Sequence, residues 1–136
     1  MRYLADSNVW IHYLKRRNSA VEAKLRTTPV ADIAVCSVVW AELLHGARKY
    51  EVPADRVARI DRTLLPYVSL SFDDSAARHY ADIRGTLEDG GNIIGSNDLL
   101  IASIARAHGL TVATGNVAEF SRVPGLAVED WTRDPK

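Results

Sequence analysis

The chain of 136 residues carries 17 Lys or Arg against 17 Asp or Glu, a formal net charge of zero, and is 47% hydrophobic and 25% charged. That length suits one domain with a core of its own, and the composition excludes a disordered chain and a membrane protein, since no apolar run approaches the roughly 20 residues of a span. Zero net charge also excludes whole-molecule attraction to a polyanion, so any nucleic-acid contact must come from local basic patches.

In chain order, residues 2–5 (RYLA) predict a short buried strand, and NVWIHYLKRR a helix with apolar Val9, Tyr13 and Leu14 and its basic residues at the dipole-favoured end. Asp6 and His12 interrupt this stretch, so it lacks the uncharged core of a signal peptide, and a cytoplasmic location is expected. Residues 19–27 predict a second helix closed by Pro29; IAVCS is a β-branched strand in which Cys36 reads as a buried structural thiol, and Ser37 is expected to cap the helix VVWAELLHGARKY. After Pro53 come a basic helix over 54–65 and a strand in YVSLSF. Asp73 is then expected to cap a long helix with Ala76, Tyr80, Ile83 and Leu87 on one face, ended by Gly90-Gly91. NIIGSNDLLIASIARAHG is apolar almost all round from Leu99 to Ala105, which predicts a central helix with Gly109 as its stop, and LTVAT and LAVED supply the last strands. Strands that alternate with helices and are mostly continuously apolar predict an α/β fold with a parallel sheet between two helical layers, in a single domain over 1–136.

Among the 17 acidic residues, position is the signal. Asp6 lies in YLADSNVWI, Glu42 in VVWAELL and Asp98 in IIGSNDLLIASIA, stretches nearly free of other charge. Burying an ionised carboxylate costs several kcal/mol unless it is paired, hydrogen-bonded or bound to a metal, and none of the three has a basic residue in its own apolar run. In open parallel sheets ligands bind outside the carboxyl ends of the strands. Asp6 ends the first strand, Asn116 follows LTVAT, and Glu42 and Asp98 fall in the first turns of helices that start at that same edge, so all four are expected to converge. Carboxylates that crowd together and stay ionised imply a cation. All-oxygen ligands imply Mg²⁺ or Mn²⁺, the single Cys and four scattered His being unsuited to zinc. The chemistry expected of such a site is metal-assisted phosphodiester hydrolysis. Helix capping by Asp6, dipole complementation by Asp98 behind a Ser96 or Asn97 cap, and a buried pair between Glu42 and a distant Arg are the structural alternatives.

These residues carry a resemblance that spans almost the whole chain. LADSN, SVVWAELLHGA, IIGSNDLLIASIARAHGL and TVATGNVAEFSRVPGLAVEDW match, in order, the motifs of the PIN-domain nucleases, in particular the VapC-type toxins of bacterial toxin–antitoxin pairs. The resemblance implies a three-layer α/β/α sandwich, metal-site carboxylates at Asp6, Glu42 and Asp98, and a hydroxyl beside them at Ser7, with Asn8 orienting its neighbours. Many members have Asp at the fourth position where this chain has Asn116; an amide brings no charge, and Glu119, three residues on, is the alternative carboxylate. The resemblance further implies a Mg²⁺-dependent endoribonuclease toxin that forms a homodimer and cuts structured RNA, such as a transfer RNA in its anticodon region. It would be neutralised by a VapB-type antitoxin and meet operator DNA only through that partner.

Trp10, Trp40 and Leu44 are candidates to line an apolar groove for the antitoxin, against the plainer reading of core aromatics. Three basic patches, Lys15-Arg16-Arg17, Arg48-Lys49 and Arg56/Arg59/Arg62, are either RNA contacts or solvated helix faces. A receiver-type phosphoacceptor is disfavoured because no acidic pair follows the first strand and no Lys follows a late one before Lys136. A non-catalytic PIN-like binding or autorepressor module and a deoxyribonuclease on the same carboxylates remain as alternatives. Gly90, Gly91 and Gly95 read as turn glycines rather than a phosphate loop, and His12, His45, His79 and His108 form no ligand pair, although His45 lies one turn from Glu42.

Overall fold

A computed structural model describes residues 1–133, so the last three residues of the expected 1–136 domain lie outside the described part. β1 (Tyr3–Ala5) is wholly buried and feeds α1 (Ser7–Leu14) through Asp6, and α2 (Ser19–Thr27) follows after Asn18, whose side chain accepts from the Val21 N–H. β2 (Ile33–Cys36), buried along its length, leads directly into α3 (Ser37–Gly46), and a 3-10 turn at Ala47–Lys49 joins that helix to α4 (Pro53–Leu64). Pro53 stands in the first turn of α4, where its missing N–H costs nothing. The second half comprises β3 (Val68–Leu70), α5 (Asp74–Asp89), α6 (Ser96–Ala107), β4 (Thr111–Thr114), α7 (Val117–Phe120) and β5 (Val128–Asp130).

The five strands form one sheet in the order β3-β2-β1-β4-β5, and every pairing is parallel. The chain winds outward from β1 to β3 on one side and from β4 to β5 on the other, so the order reverses between β1 and β4. At such a reversal the loops after adjacent strands part in opposite directions and leave a crevice at the carboxyl edge. The registers Tyr3↔Thr111, Leu4↔Val112 and Ala5↔Ala113 place Asp6 beside Thr114 at that crevice. The Asp6 N–H, donating to the Ala113 carbonyl at 3.0 Å, extends the pairing one residue further.

Leu4, Ala5, Ile33, Val35, Val112 and Ala113 are fully buried, which accounts for the nearly unbroken apolar runs of the inner strands. β3 is an edge strand and leaves Val68 51% exposed. The all-round apolar α6 buries Leu99 and every residue from Ile101 to Ala105, and α5 packs along it with Ala76, Ile83 and Leu87 inward. Asp73 caps α5 as expected, accepting from the Ala76 N–H at 2.9 Å.

One local expectation is corrected, and one pair of alternatives is decided for Trp10 in favour of the core. Ser37 does not cap α3: Cys36 holds that position, and Ser37 Oγ donates instead to the Leu70 carbonyl of β3 at 3.2 Å. The strand runs so directly into the helix that Ser37 is already its first helical residue. Trp10 lines no surface groove, being fully buried with its ring edge-on to Tyr67 at 5.0 Å between centroids. Trp40 is half-buried against the core, and Leu44 is 37% exposed. No helix of the described residues is long and apolar enough to cross a membrane.

Candidate active site

The crevice between β1 and β4 is where the acidic residues meet. Asp6 is 2% exposed and accepts two hydrogen bonds, from Thr114 Oγ1 to Oδ2 at 2.5 Å and from the Val9 N–H to Oδ1 at 3.2 Å. It therefore caps α1 and belongs to the cluster at once, and the two readings of Asp6 are not exclusive. Burial dominates and raises its pKa to about 6 despite those donors, with the nearby Glu42 charge adding to the rise.

Glu42 stands in the second turn of α3, and Oε1 accepts from Ser7 Oγ at 2.5 Å. Ser7, the first residue of α1, is itself buried, so the hydroxyl ties the two helices together on the crevice side. Asp98 lies in the first turn of α6, whose cap is Gly95 rather than Ser96 or Asn97. Its carboxyl is half-buried and titrates at about 7: burial comes first, then the Glu119 carboxylate and a hydrogen bond shared with it, then the charges of Asp6 and Glu42.

Glu119 in α7 is held where Asp98 meets it. Its Oε1 accepts from the Gly95 N–H at 2.5 Å and its Oε2 from Asn116 Nδ2 at 2.7 Å, and these donors push its pKa below the ordinary value. Asn116 thus spends its amide on Glu119, while its backbone N–H donates to Thr114 Oγ1 at 2.8 Å. A chain of hydrogen bonds runs from Asp6 through Thr114 and Asn116 to Glu119.

Thr114 and Gly95 are the members that sequence reasoning did not select. Thr114 is fully buried and ends a strand of the crevice edge, the same placement that singled out Asn116. Gly95 is more than a turn glycine, since a Cβ there would come within 3.2 Å of Glu119 Oε1 and 3.6 Å of Asp98 Oδ2. Nothing in a single sequence distinguishes it from Gly90 or Gly91.

The ion pairs of the described residues join Lys24 to Glu129, Arg84 to Glu88, Arg106 to Asp82 and Arg133 to Asp130, and none reaches Asp6, Glu42, Asp98 or Glu119. Asp6, Glu42 and Asp98 lie within electrostatic reach of one another with no ion pair to a Lys or Arg of the described residues, and Glu119, held down in part by Arg122, stands beside Asp98; these carboxyls are a donor set that fits a hard divalent ion. Among the described residues, however, no three of the His, Cys, Asp and Glu side chains close on one point as metal ligands would. The donor set suits an ion that takes one or two protein carboxylates and completes its shell with water and phosphate, as Mg²⁺ does. The histidines stay outside: His79 Nδ1 accepts from Arg106 Nε at 2.8 Å, and the exposed His45 sits 3.5 Å from Arg48 Nη1 while bordering a depression that Glu42 also lines.

Comparison with known proteins adds the following. The PIN domain pattern matches residues 3–126. The chain is 34% identical over 131 residues to the ribonuclease VapC2 of Haemophilus influenzae, covering 96% of this chain and 98% of that one. It is 33% identical over 132 residues to the tRNA(fMet)-specific endonuclease VapC of Shigella flexneri, covering 97% and 99%. The structure of DNA-bound VapBC from Salmonella typhimurium superposes with a TM-score of 0.90 at 30% identity, covering 96% of this chain and 98% of that one.

Proposed function

We propose, from the premise that this chain belongs to the PIN-domain family, that it is a metal-dependent endoribonuclease serving as the toxin of a toxin–antitoxin pair. The observation that carries the reading is the crevice itself: buried Asp6, with Glu42 and Asp98 in electrostatic reach, at the sheet's point of reversal and unpaired with any Lys or Arg of the described residues.

Asp6 and Asp98, supported by Glu42, are the residues that would hold Mg²⁺, with Mn²⁺ able to substitute. When bound, such an ion supplies Lewis-acid charge for in-line attack of water on a phosphodiester. Thr114 and the Val9 N–H fix both oxygens of Asp6, so that carboxylate is oriented before substrate arrives. Ser7 does the same for one oxygen of Glu42. In the metal-free chain Asp98 is hydrogen-bonded to Glu119 and holds its proton towards neutrality, so a divalent ion that binds there must displace that proton. Asn116 acts here as a positioning residue for Glu119, and Glu119 brings the fourth charge that an amide cannot.

RNA is the substrate named for its relatives, one of them specific for tRNA(fMet), and a structured RNA of that kind is the substrate proposed for this chain. A VapB-type antitoxin is the proposed partner, DNA being reached through the complex as in the DNA-bound VapBC assembly, and the toxin is proposed to act as a homodimer in the cytoplasm.

Substituting Asp6→Asn, Glu42→Gln or Asp98→Asn is expected to lower RNA cleavage at least about a hundredfold while the circular dichroism spectrum stays that of the parent, the scale of losing one preorganised electrostatic contact. EDTA should abolish cleavage, and Mg²⁺ or Mn²⁺ should restore it. Cleavage that persists in EDTA, or in the triple variant, sinks the mechanism.

A further inference from the structure

Glu42 lines two depressions of opposite character. One, of about 300 Å³, is bordered by Val38, Ala41, His45 and Asn97 and contains no Lys or Arg. The other, of about 720 Å³, gathers Lys15, Arg17, Lys49, Arg56 and Arg59, with Glu42 its only acid. These five cations come from three separate segments: the end of α1, the 3-10 turn after α3, and α4. None is ion-paired among the described residues. In a chain whose formal charge is zero, this is a separation of charge, and it is held in shape: the Arg56 guanidinium lies over the Tyr50 ring at 4.2 Å.

The backbone at the end of α1 adds an independent observation. Arg16 has φ 51°, a left-handed conformation that glycine fills without penalty and that other residues rarely adopt. The Arg16 N–H donates to the Tyr13 carbonyl at 3.1 Å and the Arg17 N–H to the His12 carbonyl at 3.0 Å, so the helix closes in the manner usual for glycine with arginine in its place. The turn sends Arg17 into the groove beside Glu42 and Arg16 into a neighbouring depression of about 600 Å³, which shares Arg59 and carries Tyr13 and Tyr67, with Glu22 as its acid.

We propose that this groove binds the sugar-phosphate backbone of single-stranded or looped RNA on one side of the bond to be cut, and that the depression beyond Arg59 receives an unstacked base against Tyr13 and Tyr67. The proposal rests on the ribonuclease reading above. A substrate strand must pass the acidic cluster, where its phosphates are repelled, and only one of the two depressions at Glu42 offers compensating charge. Cations that follow a groove, next to the exposed Tyr13 and the half-buried Tyr67, are an arrangement that can hold single strands without reading their sequence. At Glu42 the grip is one-sided, the depression bordered by His45 and Asn97 having no Lys or Arg in its lining.

The test measures binding of a short single-stranded RNA to the full chain in EDTA, across a KCl series, by fluorescence anisotropy. Replacing Lys49, Arg56 and Arg59 with Gln together is expected to weaken binding at least tenfold and to shrink the slope of log affinity against log salt by about 0.7 per cation removed. Arg62→Gln and Arg78→Gln, outside the groove, should leave both unchanged. Arg16→Gly should raise the melting temperature while lowering affinity, a combination that loss of fold cannot produce. An unaltered salt slope overturns the proposal, as does a triple variant that keeps the wild-type affinity for RNA. Groove-dependent RNA binding by a wild-type chain that no divalent ion makes cleave would sink the ribonuclease reading and leave the groove assignment standing.

Discussion

Asp6 shows how one side chain serves a helix cap and a carboxylate cluster together. As a helix cap it accepts from the Val9 N–H, and as a cluster member it accepts from Thr114. The sequence placed it at a strand end and left capping and chemistry as rivals; the two are compatible in the structure because one carboxylate oxygen caps α1 and the other turns to Thr114 in the crevice. Thr114→Val separates the duties, keeping volume and burial while removing the donor. With a buried acceptor left unsatisfied, stability should fall by about 1–3 kcal/mol. The expected kinetic effect is a drop in kcat of tenfold or more with KM for RNA little changed, since the groove cations are untouched. A stability loss without any kcat loss in steady-state cleavage would show that Thr114 serves the fold alone.

At the scale of elements, the order of strands and helices was legible because the physics is local. Continuous apolar runs gave the inner strands, and apolar spacing gave α5 with its Asp73 cap. What escaped was set by contacts between elements: Ser37 turned from cap to tether of β3, and Gly95 joined the site through its backbone N–H. The three basic patches read as separate from sequence because their segments are distant along the chain, yet α1, the turn after α3, and α4 bring members of each to one groove, leaving Arg16, Arg48 and Arg62 outside. The α6 start tests this level. Gly95→Ala places a methyl 3.2 Å from Glu119 Oε1, so Glu119 must shift from Asp98. Cleavage is expected to fall several-fold while the melting temperature moves little, because φ at Gly95 is −56° and open to any residue. Equal activity in both proteins would place Glu119 outside the working site.

For the whole molecule, the cost of burying acids, to which their crowding adds, appears in the pH dependence of stability. Asp6 titrates near 6 when folded against 3.8 as an ordinary Asp, so the folded chain binds more protons than the unfolded one between those values. Stability is therefore greatest below pH 4 as far as Asp6 is concerned and is lost as pH rises through about 6. At roughly 1.4 kcal/mol per pH unit the change is about 3 kcal/mol for Asp6, while Asp98, half open to water, extends the same trend towards pH 7 with a smaller share. In EDTA the melting temperature should consequently fall between pH 5 and 7.5, opposite to a protein whose carboxylates are salt-bridged. Added Mg²⁺ binds only the ionised cluster, so its stabilisation must grow over the same interval and flatten or reverse the slope. Calorimetric scans at several pH values, with EDTA and with Mg²⁺, read both effects on one axis. Parallel curves would mean that the divalent ion and the proton do not compete for these carboxyls, which is incompatible with a metal site built on Asp6 and Asp98.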